Sequence, residues 1–248
     1  MKALVFNIRL NSLYSIRIPF TWQSALTYPV LPPSAVIGML SNALQRYKND
    51  KHPLEYLELI EDKILWAGSR LLFPCVIKSY TTSAIVKWKD TLSGKFTNAL
   101  GRQFAYSRQL QVLTIFKDDS FIDDLIRALK RTPLTCGDSE SPFFIEDINK
   151  KEVEEDVDKS EIKTEYPFPF KEDTEIIDGK GLLYLMHEKC KKEKSFPLKM
   201  YLVPIEERQK ILYPSFITIR KKKERILKIQ DIGYIIMEDN PNQKFKGE

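Results

Sequence analysis

The chain has 248 residues, of which 43% are hydrophobic and 29% are charged, a composition that excludes collagen-like sequence and wholesale disorder. The net charge of +5 is too small to identify a partner, and the three widely separated cysteines lack the spacing of a disulfide framework or a zinc site. We therefore expect a cytoplasmic protein with no metal and no cofactor.

The N-terminus and the apolar stretches do not resemble targeting or membrane segments. Arg9 interrupts the first apolar run before any cleavage region, and stretches such as residues 30–40 are broken by proline. We therefore expect neither a signal peptide nor a membrane span, and we interpret the chain as a soluble globular protein.

The charge is distributed unevenly along the chain. Residues 1–117 carry a net charge of +9, residues 118–175 of −10 and residues 176–248 of +6. A polyanionic partner and an ordinary solvated lysine surface both account for the basic portions. The acidic portion predicts a loop or linker over residues 149–175, which separates a first domain (1–148) from a C-terminal part (176–248).

In chain order, the first elements are a strand, a long loop and a helix. The apolar run 3–10 predicts a strand, and residues 11–33 predict an ordered, aromatic-rich loop. Ser34 is the predicted N-cap of the helix that follows. Gly38 within this helix costs roughly 1 kcal/mol relative to alanine, which indicates that a strand or a ligand backbone approaches closely there.

The later elements complete a recognisable order. The pattern predicts a helix over 53–66, a strand over 70–77, a basic hairpin-like excursion over 78–108, a strand over 109–116, a helix over 118–131 capped by Ser120, and a strand over 143–148. The order strand, helix, strand, strand, helix, strand predicts an α+β, ferredoxin-like fold, the plan of RNA-recognition modules. Strand-like runs between 182 and 237 make the C-terminal part β-rich.

Catalytic and metal-binding patterns are scarce. His52 and His187 are the only histidines, and neither stands in a metal-ligand motif. The sequence contains no P-loop, no dinucleotide-binding fingerprint and no nucleophile elbow.

Three segments have residue types that are typical of RNA binding. Residues 28–38 deliver a helix N-terminus that can hold a phosphate, and Ser34 is either a cap alone or a cap beside that phosphate. Residues 78–108 alternate cationic and aromatic side chains, which suits either single-stranded nucleic acid or a structural hairpin with a packed Trp88. Residues 132–144 contain Gly137, which either forms a structural turn or lets another backbone approach. The candidate RNA-binding residues are Arg17, Tyr28, Ser34, Gly38, Lys87, Trp88, Lys89, Lys95, Arg102, Arg108, Gly137 and Ser139.

Two of these segments carry a resemblance to a known family. Tyr28-Pro29 followed by residues 31–40 (LPPSAVIGML) resembles the N-terminal signature of the Cas5 family of CRISPR-associated RAMP proteins. Residues 132–140 (TPLTCGDSE) resemble that family's second recurring turn, which usually has arginine where Asp138 stands. The likeness covers about the first 150 residues and is nearest to the archaeal-type members of subtype I-A.

The resemblance implies a ferredoxin-like palm with a thumb-like hairpin at residues 78–108. It further implies a non-catalytic subunit of a type I-A Cascade complex, which holds the 5′ handle of the CRISPR RNA in antiviral defence. The implied partners are the CRISPR RNA, the Cas7 backbone that the subunit caps, and the large subunit Cas8, with target DNA contacted indirectly.

Two other functions are open at this point. One branch of the family cuts precursor RNA without metal, using a tyrosine, a lysine and a histidine. Here such an endoribonuclease would use His52 or His187 with Tyr14 or Tyr80, although no histidine lies in a matched segment. The third candidate is a protein-interaction scaffold whose acidic stretch 149–175 docks a basic partner.

The basic excursion generates a direct test. Charge reversal at Lys87, Lys89 and Lys95 is expected to weaken RNA binding and to flatten its dependence on salt, because the protein neutralises fewer phosphates and releases fewer counterions. Titration of the triple variant with labelled RNA at several salt concentrations measures both quantities. Unchanged affinity at low salt would count against the thumb assignment.

Overall fold

The computed structural model describes residues 1–21, 24–84, 98–137, 141–156, 158–190, 198–222 and 224–238. Over these ranges the chain is a mixed α+β protein in which strands outnumber helices. The helices are α1 (Pro33–Lys48), α2 (Pro53–Lys63) and α3 (Ile122–Arg131). Within the same ranges, no helix is both long enough and apolar enough to cross a bilayer.

The largest sheet is arranged around the N-terminal strand. Its strands are β1 (Lys2–Leu10), β3 (Ile64–Leu71), β6 (Gln109–Phe116), β7 (Leu134–Thr135), β8 (Pro142–Glu155), β17 (Arg225–Ile229) and β18 (Gly233–Met237). The order is β18-β17-β8-β1-β6-β3, with β7 paired to β8. Because β1 lies between β6 and β8 and is antiparallel to both, it is the central strand of the first half of the chain.

The apolar sequence of β1 follows from burial on both faces. One face packs against α1 and α3, in a cluster that includes Leu4, Phe6, Ile8, Val36, Leu40, Leu44, Leu125 and Leu129. The other face packs in a second cluster with Ala3, Val5, Trp66, Leu113, Ile115 and Leu227. The sequence of a strand that is buried on both faces is a continuous apolar run, because neither set of its alternating side chains is exposed to water.

A second sheet is formed by a long hairpin and by strands from both ends of the chain. Its strands are β2 (Ser24–Ala25), β4 (Cys75–Ala84), β5 (Asn98–Ser107), β14 (Ile205–Arg208) and β15 (Ile211–Pro214). Their order is β14-β15-β4-β5-β2. Strands β4 and β5 are the two arms of the hairpin predicted over 78–108, and Lys87, Trp88, Lys89 and Lys95 of that prediction lie outside the described residues.

Two three-stranded sheets complete the C-terminal part. One contains β10 (Phe168–Pro169), β13 (Leu198–Val203) and β12 (Leu182–His187), in that order. The other contains β11 (Glu175–Gly179), β16 (Ile217–Arg220) and β9 (Glu161–Thr164), in that order. The expectation of a β-rich C-terminal part is confirmed.

The acidic segment is not the linker that its composition predicts. Strand β8 continues to Glu155, and β9 and β10 follow within the predicted linker. The acidic side chains of this segment form ion pairs with other elements: Lys2 with Glu152, Arg225 with Glu155, and Arg220 with Glu175. Moreover, β17 extends the sheet of β8 and β15 extends the sheet of β4, so the two halves of the chain share sheets.

The predicted strand over 70–77 is wrong, because two strands meet there. Helix α2 ends at Lys63, short of its predicted end, so that β3 starts at Ile64 and β4 begins at Cys75. Pro74 lies between the two strands and has no N–H to donate to a strand ladder, which separates β3 from β4. The strands predicted over 3–10 and 109–116 are confirmed.

Neither serine predicted as a helix cap occupies the cap position. Pro32 is the N-cap of α1, and its carbonyl accepts the N–H groups of Ala35 and Val36 at 3.0 and 3.2 Å. Because Pro33 has no N–H and the Ala35 N–H is already used, this helix N-terminus offers fewer donors to a phosphate than the prediction assumed. Phe121 is the N-cap of α3, while the Ser120 hydroxyl lies 2.5 Å from Asp118 Oδ1.

A close backbone contact joins the turn after β7 to the loop after β1. Gly137 has φ +87°, and a Cβ placed on it would lie 2.4 Å from the carbonyl oxygen of Ser15. The same turn is held by Ser141, whose hydroxyl donates to the Leu13 carbonyl at 2.6 Å and whose carbonyl accepts the Cys136 N–H at 2.8 Å. Glycine is therefore required here by the chain's own packing as well as by its backbone angle.

This contact predicts a large stability loss for Gly137→Ala. Gly233→Ala is the matched control, since Gly233 also has a positive φ, +131°, but has no atom within 4 Å of its Cβ position. The control incurs only a conformational strain of about 1–3 kcal/mol. Urea unfolding should show a loss for Gly137→Ala that exceeds the control's by about 1 kcal/mol or more. Equal losses would contradict the close approach.

Candidate nucleic-acid interface

A cleft of about 490 Å³ opens between the first half of α1, the loop after β1 and the turn after β7. Its volume falls within the range of about 300–1,000 Å³ that is typical of ligand pockets. The side chains and backbone that line it are those of Ser15, Ile16, Arg17, Leu31, Ala35, Gly38, Met39, Asn42, Arg46, Arg102, Leu134, Thr135 and Gly137.

The loop after β1 is ordered by hydrogen bonds along its length. The Tyr14 N–H and carbonyl bond to the carbonyl and N–H of Ala105 on β5, at 2.9 and 2.8 Å. Further along, the Tyr28 N–H donates to the Ile16 carbonyl at 3.0 Å, and the Ile16 N–H donates to Thr27 Oγ1 at 2.8 Å. These hydrogen bonds therefore hold the loop in place on one side of the cleft, next to the second sheet.

Three arginines supply the charge of the cleft. Arg17 donates to the Thr21 carbonyl at 2.6 Å, Arg46 to the Pro133 carbonyl at 3.1 Å, and Arg102 to Ser15 Oγ at 3.2 Å. Each guanidinium is thus oriented by a neutral oxygen of the chain. Among the lining residues that the structure describes, these three arginines are the charged ones and no carboxylate is present.

Gly38 lines the cleft and leaves open space beside the backbone of α1. It lies inside α1, where glycine is less favourable than alanine by about 1 kcal/mol. Apart from the backbone of its own helix and its chain neighbours, no atom of the described chain lies within 4 Å of the position its Cβ would take, so the strand that the sequence suggested as a close neighbour is not there. The alternative, a ligand that approaches the helix backbone, fits the observed space.

Four of the sequence-predicted residues meet in this cleft: Arg17, Gly38, Arg102 and Gly137. Gly137 serves the fold through its contact with Ser15. Ser139 lies outside the described residues, as do Lys87, Trp88, Lys89 and Lys95.

Three other predicted residues lie elsewhere. Tyr28 is 2% exposed, donates its hydroxyl to the Leu185 carbonyl and packs against Tyr184. It therefore presents almost no surface to a ligand, and burial raises its pKa. The Ser34 carbonyl lies 3.1 Å from the Cys190 thiol sulfur. Arg108 follows β5 and holds its guanidinium over Phe73.

The lining residues that are absent from the sequence-based candidates include Asn42 and Arg46. They follow Gly38 at intervals of four residues on α1, and such positions share one face of a helix. The sequence-based prediction for that helix used its apolar stripe alone. The polar residues at the same four-residue spacing were the sequence signal that could have indicated Asn42 and Arg46.

The groups considered for an endoribonuclease do not converge. Neither histidine lines the cleft, and His52 caps α2, where its Nδ1 accepts the Leu54 N–H at 3.3 Å. Tyr14 is fully buried, and its hydroxyl donates to the Pro29 carbonyl at 2.6 Å. Burial, together with the nearby Cys75, raises the pKa of Tyr14 well above its usual value, so its hydroxyl stays protonated and does not serve as a general base. In the described part of the chain, no cluster of His, Cys, Asp and Glu side chains could hold a metal ion.

Comparison with known proteins identifies the family. The model of the CRISPR-associated protein family Cas_Cas5 matches residues 5–182, so this chain belongs to the Cas5 family. A crystal structure of a CRISPR protein from Archaeoglobus fulgidus superposes with a TM-score of 0.63 at 16% identity, covering 97% of this chain and 100% of that one.

A second solved structure has a similar fold at lower agreement. It is a chain of the type III-B Cmr-beta complex bound to cognate target RNA, with a TM-score of 0.50 and 10% identity, covering 88% of this chain and 86% of that one. No curated protein matches this chain. The family membership confirms the resemblance drawn from the sequence motifs, and subtype I-A stays a prediction.

The open space beside Gly38 predicts that Gly38→Ala raises the free energy of unfolding by about 1 kcal/mol, because alanine is the better helix former. Gly68→Ala is the matched comparison, since its Cβ would lie 2.7 Å from the Trp66 ring and should destabilise the protein. Urea denaturation measures both. A destabilised Gly38→Ala variant would show that the helix backbone is packed rather than open.

Proposed function

We propose that this protein is a non-catalytic CRISPR RNA-binding subunit of a type I-A Cascade complex, and that the cleft beside α1 holds the 5′ handle of the guide RNA. The observation that carries the proposal is the meeting of three arginines, with no acidic side chain among the described lining residues, beside a helix backbone left open at Gly38. Family membership supports the CRISPR context.

The chemistry of the cleft suits a nucleic-acid backbone. A guanidinium presents planar N–H donors that match phosphate oxygens and stays protonated at any physiological pH. Arg17, Arg46 and Arg102 come from three separate segments, so a bound strand would be contacted from more than one side. The neutral lining includes Ser15, Asn42 and Thr135, whose side chains can bond to sugar hydroxyls or base edges.

The architecture supports a ferredoxin-like palm. Strands β8-β1-β6-β3 are antiparallel neighbours in that order. Helices α1 and α2 fall between β1 and β3, and α3 falls between β6 and β8. This order of elements supports the strand–helix–strand–strand–helix–strand plan of a ferredoxin-like fold, with β3 in place of the strand predicted over 70–77.

A scaffold role is favoured over RNA cleavage. Activation of a 2′-hydroxyl needs a general base within hydrogen-bond reach, and the cleft brings neither histidine to the arginines. The protein then acts in antiviral defence by binding alone: in the cytoplasm it caps the Cas7 backbone and contacts the large subunit Cas8. Cleavage of repeat RNA in EDTA that a single histidine substitution abolishes would contradict this role.

The double variant Arg17→Gln, Arg46→Gln tests the cleft. Its dissociation constant for CRISPR RNA carrying the 5′ handle should rise about tenfold or more, which corresponds to about 1.4 kcal/mol. The slope of log affinity against log salt should become shallower by about 0.7 for each phosphate that the protein no longer neutralises. Fluorescence anisotropy with labelled RNA at several salt concentrations measures both.

Lys228→Gln is the matched control, because it removes one positive charge from an exposed position on β17. Lys228 is in register with Glu154, near the end of β8 that is far from the Gly137 turn. It should leave affinity and slope unchanged. An RNA with a scrambled 5′ handle should bind the unmodified protein more weakly. An unaltered salt slope in the double variant, or equal binding of the two RNAs, would overturn the assignment of the handle to the cleft.

A further inference from the structure

The strand register of the second sheet sorts its side chains onto two faces. Residues directly opposite each other in an antiparallel pair lie on the same face, and residues two apart along a strand do so as well. The pairs Val76 with Tyr106, Lys78 with Phe104, and Tyr80 with Arg102 therefore share one face of the β4–β5 hairpin. The pair Arg208 with Ile211, together with Tyr213, extends that face across β15 and β14.

The two faces differ in burial where β4 pairs with β15, whereas further along β4 the inner-face residues Ser79 and Thr81 are exposed as well. On the inner face Cys75 and Ala105 are fully buried and Leu212 is 6% exposed. On the outer face Tyr80 is 48% exposed and Tyr106 is 46% exposed. Large aromatic rings are normally placed in the core, so rings held at the surface by a sheet whose other face is packed near β15 call for a partner.

Cationic and aromatic groups alternate on this outer face. Tyr80 meets Phe104 edge to face, with ring centroids 5.8 Å apart, and the Arg102 guanidinium lies over the Phe104 ring at 4.8 Å. At the β14–β15 end, Arg208 lies over Tyr213 at 5.7 Å. Beyond the end of β5, Arg108 lies over Phe73 at 5.3 Å. Cation–π contacts of this kind keep the guanidinium groups close to the rings and near the plane of the sheet.

The charge of the face is positive. Lys78, Arg102 and Arg208 are its cations within the strands, Arg108 follows directly after β5, and Glu206, opposite Tyr213, is its carboxylate among the described residues. Glu206 is already paired with Arg208 and Lys180, which hold its pKa at about 2. A polyanion would therefore meet cations and rings along β4 and β5 without facing an unpaired acid there.

We propose that this outer face of the β14-β15-β4-β5 sheet binds single-stranded nucleic acid by stacking bases on Tyr80, Phe104 and Tyr106, with Lys78, Arg102 and Arg108 on the phosphates. Aromatic platforms interleaved with basic side chains are the features by which proteins hold single strands with little sequence preference. The inference rests on the proposed RNA-binding function and extends it from the cleft to a second surface, part of which comes from the C-terminal third of the chain.

The geometry also defines the form of the strand. Side chains on one face of a strand recur at roughly 6.8 Å, twice the rise of about 3.4 Å between bases stacked in a duplex. A strand that follows β5 from Arg102 to Tyr106 is therefore extended, and its bases contact the protein rings rather than each other. Arg102 also lines the cleft through its bond to Ser15, so the two surfaces are adjacent.

The test compares the double variant Tyr80→Leu, Tyr106→Leu with the unmodified full chain. Leucine keeps apolar bulk on an exposed strand face but removes the ring, so the free energy of unfolding should change little. Binding of labelled oligouridylate and of CRISPR RNA is measured by fluorescence anisotropy. The Leu variant should bind oligouridylate at least about tenfold more weakly, because stacking of two bases is removed. The double variant Tyr80→Phe, Tyr106→Phe should recover affinity relative to the Leu variant, since the ring returns without the hydroxyl.

Phe144→Leu is the matched control. Phe144 is 65% exposed but lies on β8 in register with Arg9, on a different sheet, so its substitution should leave oligouridylate affinity unchanged. Unchanged affinity in the Leu variant would overturn the inference. If the Arg17→Gln, Arg46→Gln variant binds RNA more weakly in the same assay, the assignment of the handle to the cleft stands. If the Leu variant binds RNA normally but fails to assemble with the other Cas subunits, the face is a protein interface and the inference is overturned.

Discussion

The contact between Gly137 and the carbonyl of Ser15 is the constraint on which the site depends. It fixes the turn after β7 against the loop after β1, two segments that are far apart in sequence. Arg102 binds the side chain of Ser15, so the long hairpin is attached at the same point. The cleft exists because these segments and helix α1 are held around one short stretch of backbone.

The distribution of charge in the fold explains why a net charge of only +5 is compatible with a cleft whose described lining carries three arginines. Acidic side chains of the central segment are paired with cations of distant elements, among them Lys63 with Asp118, Lys48 with Asp124 and Arg225 with Glu155. Such surface pairs contribute little to stability, but they neutralise the acidic segment locally. This use of the acids also weakens the hypothesis that residues 149–175 dock a basic partner.

Much of the fold was predictable because burial on one or both faces leaves a simple pattern in the sequence. The central strand β1, strand β6 and the apolar stripes of α1 and α3 were recognised on that basis. Strand β8 was cut short at residue 148, because an acidic strand whose charges are paired across the sheet has the composition of a linker. The boundary between β3 and β4 was missed because the apolar pattern continues through it, and only Pro74 marks the break.

The site was predictable in part. The glycines of the two recognised motifs, Gly38 and Gly137, meet in the cleft with two of the candidate arginines, Arg17 and Arg102. Tyr28 was misplaced, since its aromatic ring serves the core through Tyr184 and Leu185, residues of a C-terminal strand that no local pattern connects to it. The exposed outer face of the second sheet is formed by three segments of the chain in register. The periodicity along one strand does not reveal that register.

Ultraviolet cross-linking of the full chain to CRISPR RNA that contains 4-thiouridine, followed by mass spectrometry of the linked peptides, tests the central claim most directly. The account predicts that linked peptides come from the loop after β1, from helix α1 around Gly38 and from the β4–β5 hairpin. Cross-links concentrated on β17 and β18 instead, with none on the cleft, would contradict it.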